Sequence, residues 1–116
     1  MSACLFCRIV SGEIPAKIAH QDDDVVAFHD IAPQAPVHVL VVPRQHVATL
    51  DEMAAEGDGA TAARLFAGVQ RTAAALGLTA GAGYRQVVNC GDTAGQSVFH
   101  VHVHLLAGRA FGWPPG

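Results

Sequence analysis

The sequence predicts an α+β domain, an antiparallel sheet of about five strands carrying one long helix and several short ones. Three observations predict it. Strand-like runs lie in both halves of the chain and are joined by short polar turns. One long amphipathic helical pattern, Ala60 to Leu78, is inserted once between them. Near the end, Val98 to Leu106 (V-F-H-V-H-V-H-L-L) alternates histidine with aliphatic residues at the period of a strand. With 116 residues and no internal repeat, low-complexity tract or linker, positions 1–116 read as a single domain. Packing the long helix on one sheet face leaves the other for a ligand or a second subunit.

Composition narrows the function classes. A hydrophobic content of 51% against 15% charged residues belongs to a chain with a packed core. The formal charge of −3 excludes a basic surface that wraps a duplex, so no nucleic-acid partner is expected. An anionic ligand would have to be met by local dipoles and imidazoles. Seven histidines balance seven Lys and Arg, which directs attention to chemistry near neutral pH. The start, Met-Ser-Ala-Cys-Leu, has no basic stretch followed by an apolar run, and nothing approaches the ~18 apolar residues of a bilayer span. The expectation is a cytoplasmic protein without a membrane partner. Three cysteines, two of them in a C-x-x-C, suit metal or thiol chemistry better than a disulfide framework.

Taken in order, Cys4 to Val10 has helical spacing and Gly12 stops it, giving a short first helix. Its Cys4 and Cys7 are either two of four zinc ligands or two small buried residues; zinc requires two histidines from elsewhere. Ala16–His20 and Val25–Phe28 are short strands around the acidic turn Asp22–Asp24. The proline-rich loop His29–Pro36 follows. In it, Asp30 is either an acceptor for sugar hydroxyls or an ordinary turn cap. Val37–Pro43 is near-continuously apolar, hence a central strand, and its His38 is expected to be a hydrogen-bonded core residue.

Thr49-Leu-Asp-Glu52 fits a capping box that opens a short helix. Along Ala60–Leu78 the apolar stripe runs through Leu65, Val69, Ala73 and Leu76, with Gly77 as the stop. Strand Tyr84–Val88 comes next, then the polar loop Asn89–Ser97 and the histidine strand. The tail places the only tryptophan, Trp113, between a glycine and two prolines. Such a stiff aromatic tail should pack on something.

In a strand, His100, His102 and His104 would share one face, about 6.6 Å apart, with Val101, Val103 and Leu105 turned into the core. Three ligands strung over ~13 Å fit poorly around one ion whose Zn–N bonds are about 2.0–2.1 Å. A row of imidazoles beside a Gly-bearing polar loop therefore suits an anion better than a single metal.

These residues together resemble the histidine triad (HIT) family of nucleotide hydrolases and transferases. The motif is His100-Val-His102-Val-His104-Leu-Leu. Gly12-Glu-Ile-Pro-Ala-Lys17, Ala27-Phe-His-Asp-Ile31, Pro33-Gln-Ala-Pro36, Gly95-Gln-Ser-Val98 and Trp113-Pro-Pro-Gly116 look like its Hint branch, which holds purine nucleoside phosphoramidases. The resemblance spans nearly the whole chain and implies a HIT-like fold. It also implies a hydrolase that cleaves P–N bonds of adenosine 5′-phosphoramidate and related purine nucleotides, and with them the P–O bond of aminoacyl adenylates. The alternatives are a dinucleoside polyphosphate hydrolase of the same family, or a non-catalytic module that binds zinc or nucleotide.

By resemblance, His102 is the nucleophile that forms a nucleotidyl-histidine intermediate. His104 stabilises the phosphate and helps protonate an amine leaving group. Ser97, with Gly95 and Gln96, matches the phosphate loop, Asn89 a phosphate- or ribose-side contact, and Asp30 the ribose carboxylate. Phe6, Ile9, Ile14, Phe28 and Ile31 would line the base cleft, and His38 would support the triad from behind. Members dimerise through the long helix, with a tail such as that bearing Trp113 reaching the partner's site, so a homodimer is implied.

Many Hint proteins lack the cysteine pair, and there this chain departs from the plainest pattern. Other relatives bind structural zinc at positions matching Cys4, Cys7, His46 and His100, which implies a structural zinc while catalysis needs no cofactor. Cys90 stands where Hint relatives often carry an acidic residue.

Overall fold

A computed structural model describes residues 3–116; the first two residues of the domain expected over 1–116 lie outside that range. The elements are α1 (Leu5–Val10), β1 (Ile18–Gln21), β2 (Val25–His29), β3 (Val37–Pro43), α2 (Leu50–Ala54), α3 (Ala60–Ala75), β4 (Tyr84–Val87) and β5 (Val103–Ala107), with one 3₁₀ turn at Asp92–Ala94. Every strand pairing is antiparallel, and the five strands lie in the order β1-β2-β3-β5-β4. This is the α+β architecture that the strand and helix patterns predict.

The apolar run of β3 is explained by its place in the middle of the sheet, buried on both faces. Towards α3 the sheet presents Val25, Ala27, Val39, Val41, Val103 and Leu105, which pack with Leu65, Val69 and Ala73 of the helix. Towards the other side Val26, Phe28, Leu40 and Val42 form a second cluster with Phe6 of α1. The short first helix thus covers the face that α3 leaves open.

Local chemistry sets the element ends. The Thr49 hydroxyl caps α2 by accepting from Glu52 N–H at 3.2 Å, and the Glu52 carboxylate reaches back to Ala48 N–H at 3.3 Å. Helix α3 ends at Ala75, three residues before the Leu78 expected from its pattern. Gly77 takes φ +73°, and Leu78 N–H bonds back to Ala73 O at 2.9 Å while Gly77 N–H reaches Ala74 O at 3.0 Å. That paired arrangement closes the helix and returns Leu78 to the core as a capping contact. β1 begins at Ile18 instead of Ala16 because its ladder with β2 starts at the Ile18–Phe28 pair.

The expected histidine strand is corrected. β5 starts at Val103, so His100 and His102 precede it. The last ladder pair is Val41 with Val103, and further along β3 stands Pro43, which has no N–H to offer. Val101 N–H instead donates to Val47 O at 2.7 Å, beyond the end of β3. The alternation nonetheless holds: Val101, Val103 and Leu105 enter the core under α3, while His100 and His102 stand with Phe6 of α1 on the opposite side, next to His104.

Candidate active site

Leaving the ladder allows His100 and His102 to turn to different surroundings. His100 is fully buried, and its Nε2–H donates to Pro43 O at 2.8 Å. Its Nδ1 lone pair is thereby directed at Cys4 Sγ (3.4 Å), Cys7 Sγ (3.5 Å) and His46 Nδ1 (3.2 Å). Cys7 Sγ is also 3.3 Å from His46 Nδ1. One donor atom from each of these four residues lies within 4.8 Å of the others.

Tetrahedral zinc with bonds of about 2.3 Å to sulfur and about 2.05 Å to nitrogen places neighbouring donors about 3.3–3.8 Å apart. The spacing and the Cys₂His₂ donor set therefore fit a zinc ion. A carbonyl behind His100 that fixes its tautomer is the support such a ligand requires.

His102 is 8% exposed, and its Nδ1–H donates to the carbonyl oxygen of His100 at 2.8 Å. Its Nε2 therefore carries the lone pair. Burial pushes the His102 pKa down, against its backbone hydrogen bond and the nearby Asp30 carboxylate, which favour the charged ring. The neutral, nucleophilic form is the one the site holds at neutral pH. The Phe6 ring stands edge-on to it, with centroids 5.0 Å apart.

His104 belongs to β5, opposite Leu40 of β3, with its ring centroid 5.1 Å from that of His102. Gln34 N–H donates to His38 Nδ1 at 3.0 Å, so neutral His38 carries its proton on Nε2. That Nε2–H donates to His104 Nδ1 at 2.9 Å. His104 then keeps its own proton on Nε2. Burial and the neighbouring His102 and His38 push its pKa down to about 4. Two adjacent neutral imidazoles thus present opposite groups, a lone pair on His102 and an N–H on His104. As expected, His38 is a buried, hydrogen-bonded histidine, and it stands behind the pair.

Beside the histidines lies a cleft of about 340 Å³ lined by Phe6, Ile9, Ile14, Phe28, Asp30 and Ile31, and also by Leu5, Pro15, Ala16, Lys17, His29 and Leu40. All six residues assigned to the base and ribose in the sequence come together here. Leu5, Pro15, Ala16, Lys17, His29 and Leu40 were missed. Leu40 was findable, because two residues beyond His38 on one strand is the same face. Among the described residues, Asp30 is the one carboxylate that lines the cleft. Its Oδ1 accepts from Ala32 N–H at 2.8 Å, and its Oδ2 is 3.4 Å from His38 Nε2. It is both a turn cap and a group facing a cavity.

The loop 89–97 is braced from within. Gln96 is buried, its Oε1 accepting from Gly91 N–H at 2.9 Å and its amide donating to Ala48 O (2.8 Å) and Val98 O (3.1 Å). The backbone N–H groups of Gly95 and Gln96 return to Asp92 O and Gly91 O. Gly95 makes the turn at φ +98°. Ser97 emerges exposed and lines an open groove together with Cys4, Cys7 and His46. Gln96 and Gly95 shape the loop, Ser97 is the hydroxyl it presents, and Asn89 is half-buried at its start.

Trp113 is 84% exposed and does not enter this chain's own cleft. The tail before it is held: Arg85 donates to Gly112 O at 2.9 Å, and the Arg85 and Arg109 guanidinium groups stand 5.1 and 4.3 Å from the Phe111 ring centre.

Fold and site together define a class, an α+β protein whose reactive groups are histidines gathered at one end of an antiparallel sheet. Residues 11–111 match the HIT domain. An uncharacterized HIT-like protein of Synechococcus elongatus is 50% identical over 112 residues, which is 97% of this chain and 96% of that protein. The crystal structure of a HIT family hydrolase from Legionella pneumophila is 44% identical, with a TM-score of 0.86 over 97% of this chain and 99% of that one. A histidine triad protein from Clostridium difficile is 36% identical, with a TM-score of 0.87 over 97% and 96% of the two chains. The chain belongs to the HIT domain family, and its fold is that of the family's hydrolases. Among the described residues no helix is long and apolar enough to cross a membrane.

Proposed function

We propose that the protein hydrolyses P–N bonds of purine nucleoside phosphoramidates, of the adenosine 5′-phosphoramidate type, and the mixed-anhydride P–O bond of aminoacyl adenylates as related substrates. The observation that carries the reading is the opposite tautomers of the neighbouring His102 and His104 rings. A purine fits the apolar cleft, and Asp30 at its edge suits the ribose hydroxyls.

The chemistry balances on these groups. The His102 Nε2 lone pair attacks phosphorus and the P–N bond breaks with its electrons on nitrogen. The nitrogen takes one proton from solvent before the bond breaks and leaves as the neutral amine. His104 Nε2–H donates to the phosphoryl oxygen or to the departing nitrogen, where negative charge is greatest. Ser97 supplies a further donor from the loop. Water then attacks phosphorus, His102 leaves as neutral imidazole, and the nucleoside monophosphate is released with one proton to solvent. Phe6 against the His102 ring keeps bulk water away from the nucleophile before substrate binds.

Cys4, Cys7, His46 and His100 would hold a structural zinc, which when bound ties α1 to the segment before β5. The reducing cytoplasm suits such thiolates. A homodimer is part of the same reading; the exposed Trp113 and the 41%-exposed Phe66 on α3 support it.

The test assays adenosine 5′-phosphoramidate and a diadenosine polyphosphate on one preparation, with mass spectrometry of quenched protein. Faster phosphoramidate turnover with a nucleotidyl adduct on His102 supports the reading. Preference for the polyphosphate would reassign the substrate, and turnover lost on chelation alone would point to a metal module.

A further inference from the structure

We infer that His38 links ribose binding to catalysis: its single Nε2–H donates to His104 beside the Asp30 carboxylate, and sugar hydroxyls that take Asp30 remove that carboxylate's pull on the hydrogen. This rests on the nucleotide reading above and deepens it. His38 is 6% exposed and its Nδ1 is occupied by Gln34 N–H, so one N–H is all it offers to the site. That N–H donates to His104 Nδ1 at 2.9 Å, and Asp30 Oδ2 stands 3.4 Å from the same nitrogen, within ion-pair distance but without a hydrogen bond. A carboxylate this close draws the N–H electrostatically away from His104.

Asp30 Oδ1 is already committed to Ala32 N–H, and Oδ2 is therefore the oxygen with capacity to spare. Hydroxyl donors arriving at Oδ2 draw its lone pairs away from His38. The hydrogen bond to His104 Nδ1 then strengthens, fixing the ring with its Nε2–H towards phosphorus. The network is buried, where such bonds reinforce one another. The sugar, remote from the reacting bond, thereby contributes to turnover as well as to binding. His38 is a positioning residue in this scheme. It touches no reacting atom.

Two measurements test it on the full chain. The first compares adenosine 5′-phosphoramidate with its 2′,3′-dideoxy analogue. Loss of the hydroxyls should raise KM and also lower kcat on the order of ten-fold in the native protein. In His38→Leu the kcat ratio should collapse towards unity, leaving only the KM effect. His38→Gln, which keeps a donor near the Nε2 position, should restore part of it. A dideoxy substrate that changes only KM in the native protein, or an undiminished kcat ratio in His38→Leu, overturns the inference.

The second measurement needs no turnover. Imidazole ¹⁵N spectra are recorded with adenosine monophosphate and with its dideoxy analogue, each at saturation. The ribose form should move the His104 Nδ1 resonance and the dideoxy form should not; identical shifts overturn the coupling. Ribose-dependent shifts in a protein that fails to cleave the phosphoramidate would sink the proposed reaction and leave the coupling standing.

Discussion

The His102 ring hangs from the backbone of His100: Nδ1–H of one meets the carbonyl oxygen of the other at 2.8 Å. The same His100 turns its side chain to Cys4, Cys7 and His46. A single residue thus anchors a metal-type cluster with its ring and sets the tautomer of the neighbouring imidazole with its peptide.

Removing the His102 ring should separate chemistry from binding. His102→Asn is expected to lower phosphoramidate turnover by roughly 10⁴-fold or more, the scale of losing a covalent nucleophile. The cleft walls and Asp30 remain, so adenosine monophosphate should bind within a few-fold of the native affinity. Rapid-quench kinetics and calorimetric titration of the same variant check both halves. Near-native turnover would remove His102 from the nucleophile role.

Cysteine substitution probes the cluster. Cys4→Ser should lose stoichiometric zinc, read by elemental analysis of protein made without a histidine tag, and should melt at a lower temperature. The ligand positions close a long loop between α1 and the segment before β5, so a lost crosslink is felt mainly in stability. The phosphoramidase activity that remains at low temperature should stay well above that of His102→Asn. If the Cys4→Ser protein stays folded yet is as inactive as the nucleophile variant, the ion has a part in the reaction.

The fold was legible because the helix and strand periods are clean: the stripe through Leu65, Val69 and Ala73 faces the sheet, and β3 has the bounds its apolar run predicts. The cleft residues were legible by resemblance and came together around Asp30. The path of residues 98–102 was not. Its alternation is that of a strand, but the departure from the ladder depends on Pro43, distant in sequence, lacking an N–H and lending its carbonyl to His100. Nor could the His38–His104 bond be read, since register between β3 and β5 follows from packing and no local pattern states it. The resemblance assigns Gln96 to the phosphate loop, and there its buried amide braces the loop from within.

Acid should weaken the fold through His104. Its folded pKa lies near 4, against 6.5 for an ordinary imidazole. Between those values the unfolded chain takes up a proton that the folded chain refuses, so the stabilisation is complete above pH 6.5 and is lost as pH falls towards 4. The slope from this one group is at most about 1.4 kcal/mol per pH unit. Urea unfolding across that window should therefore be steeper for the native protein than for His104→Gln. Equal slopes would mean that His104 titrates normally in the folded chain.

Gly68 offers a test of packing that runs against helix propensity. It sits inside α3, where Ala would ordinarily stabilise by about 1 kcal/mol. A Cβ built there, however, would meet Val25 Cγ1 at 2.5 Å and Cγ2 at 2.7 Å, because the helix rides directly on β2. Val25 is fully buried in the central core and has no room to retreat. Gly68→Ala is expected to destabilise by about 1–3 kcal/mol, the scale of overpacking. Val25→Ala alone should also cost stability through the cavity it leaves. Combined, the two changes fill that space with the new methyl, and the double variant should be more stable than the sum of the single losses predicts. Chemical denaturation of the four proteins gives the coupling directly. Additive losses would mean that α3 does not approach β2 at this point.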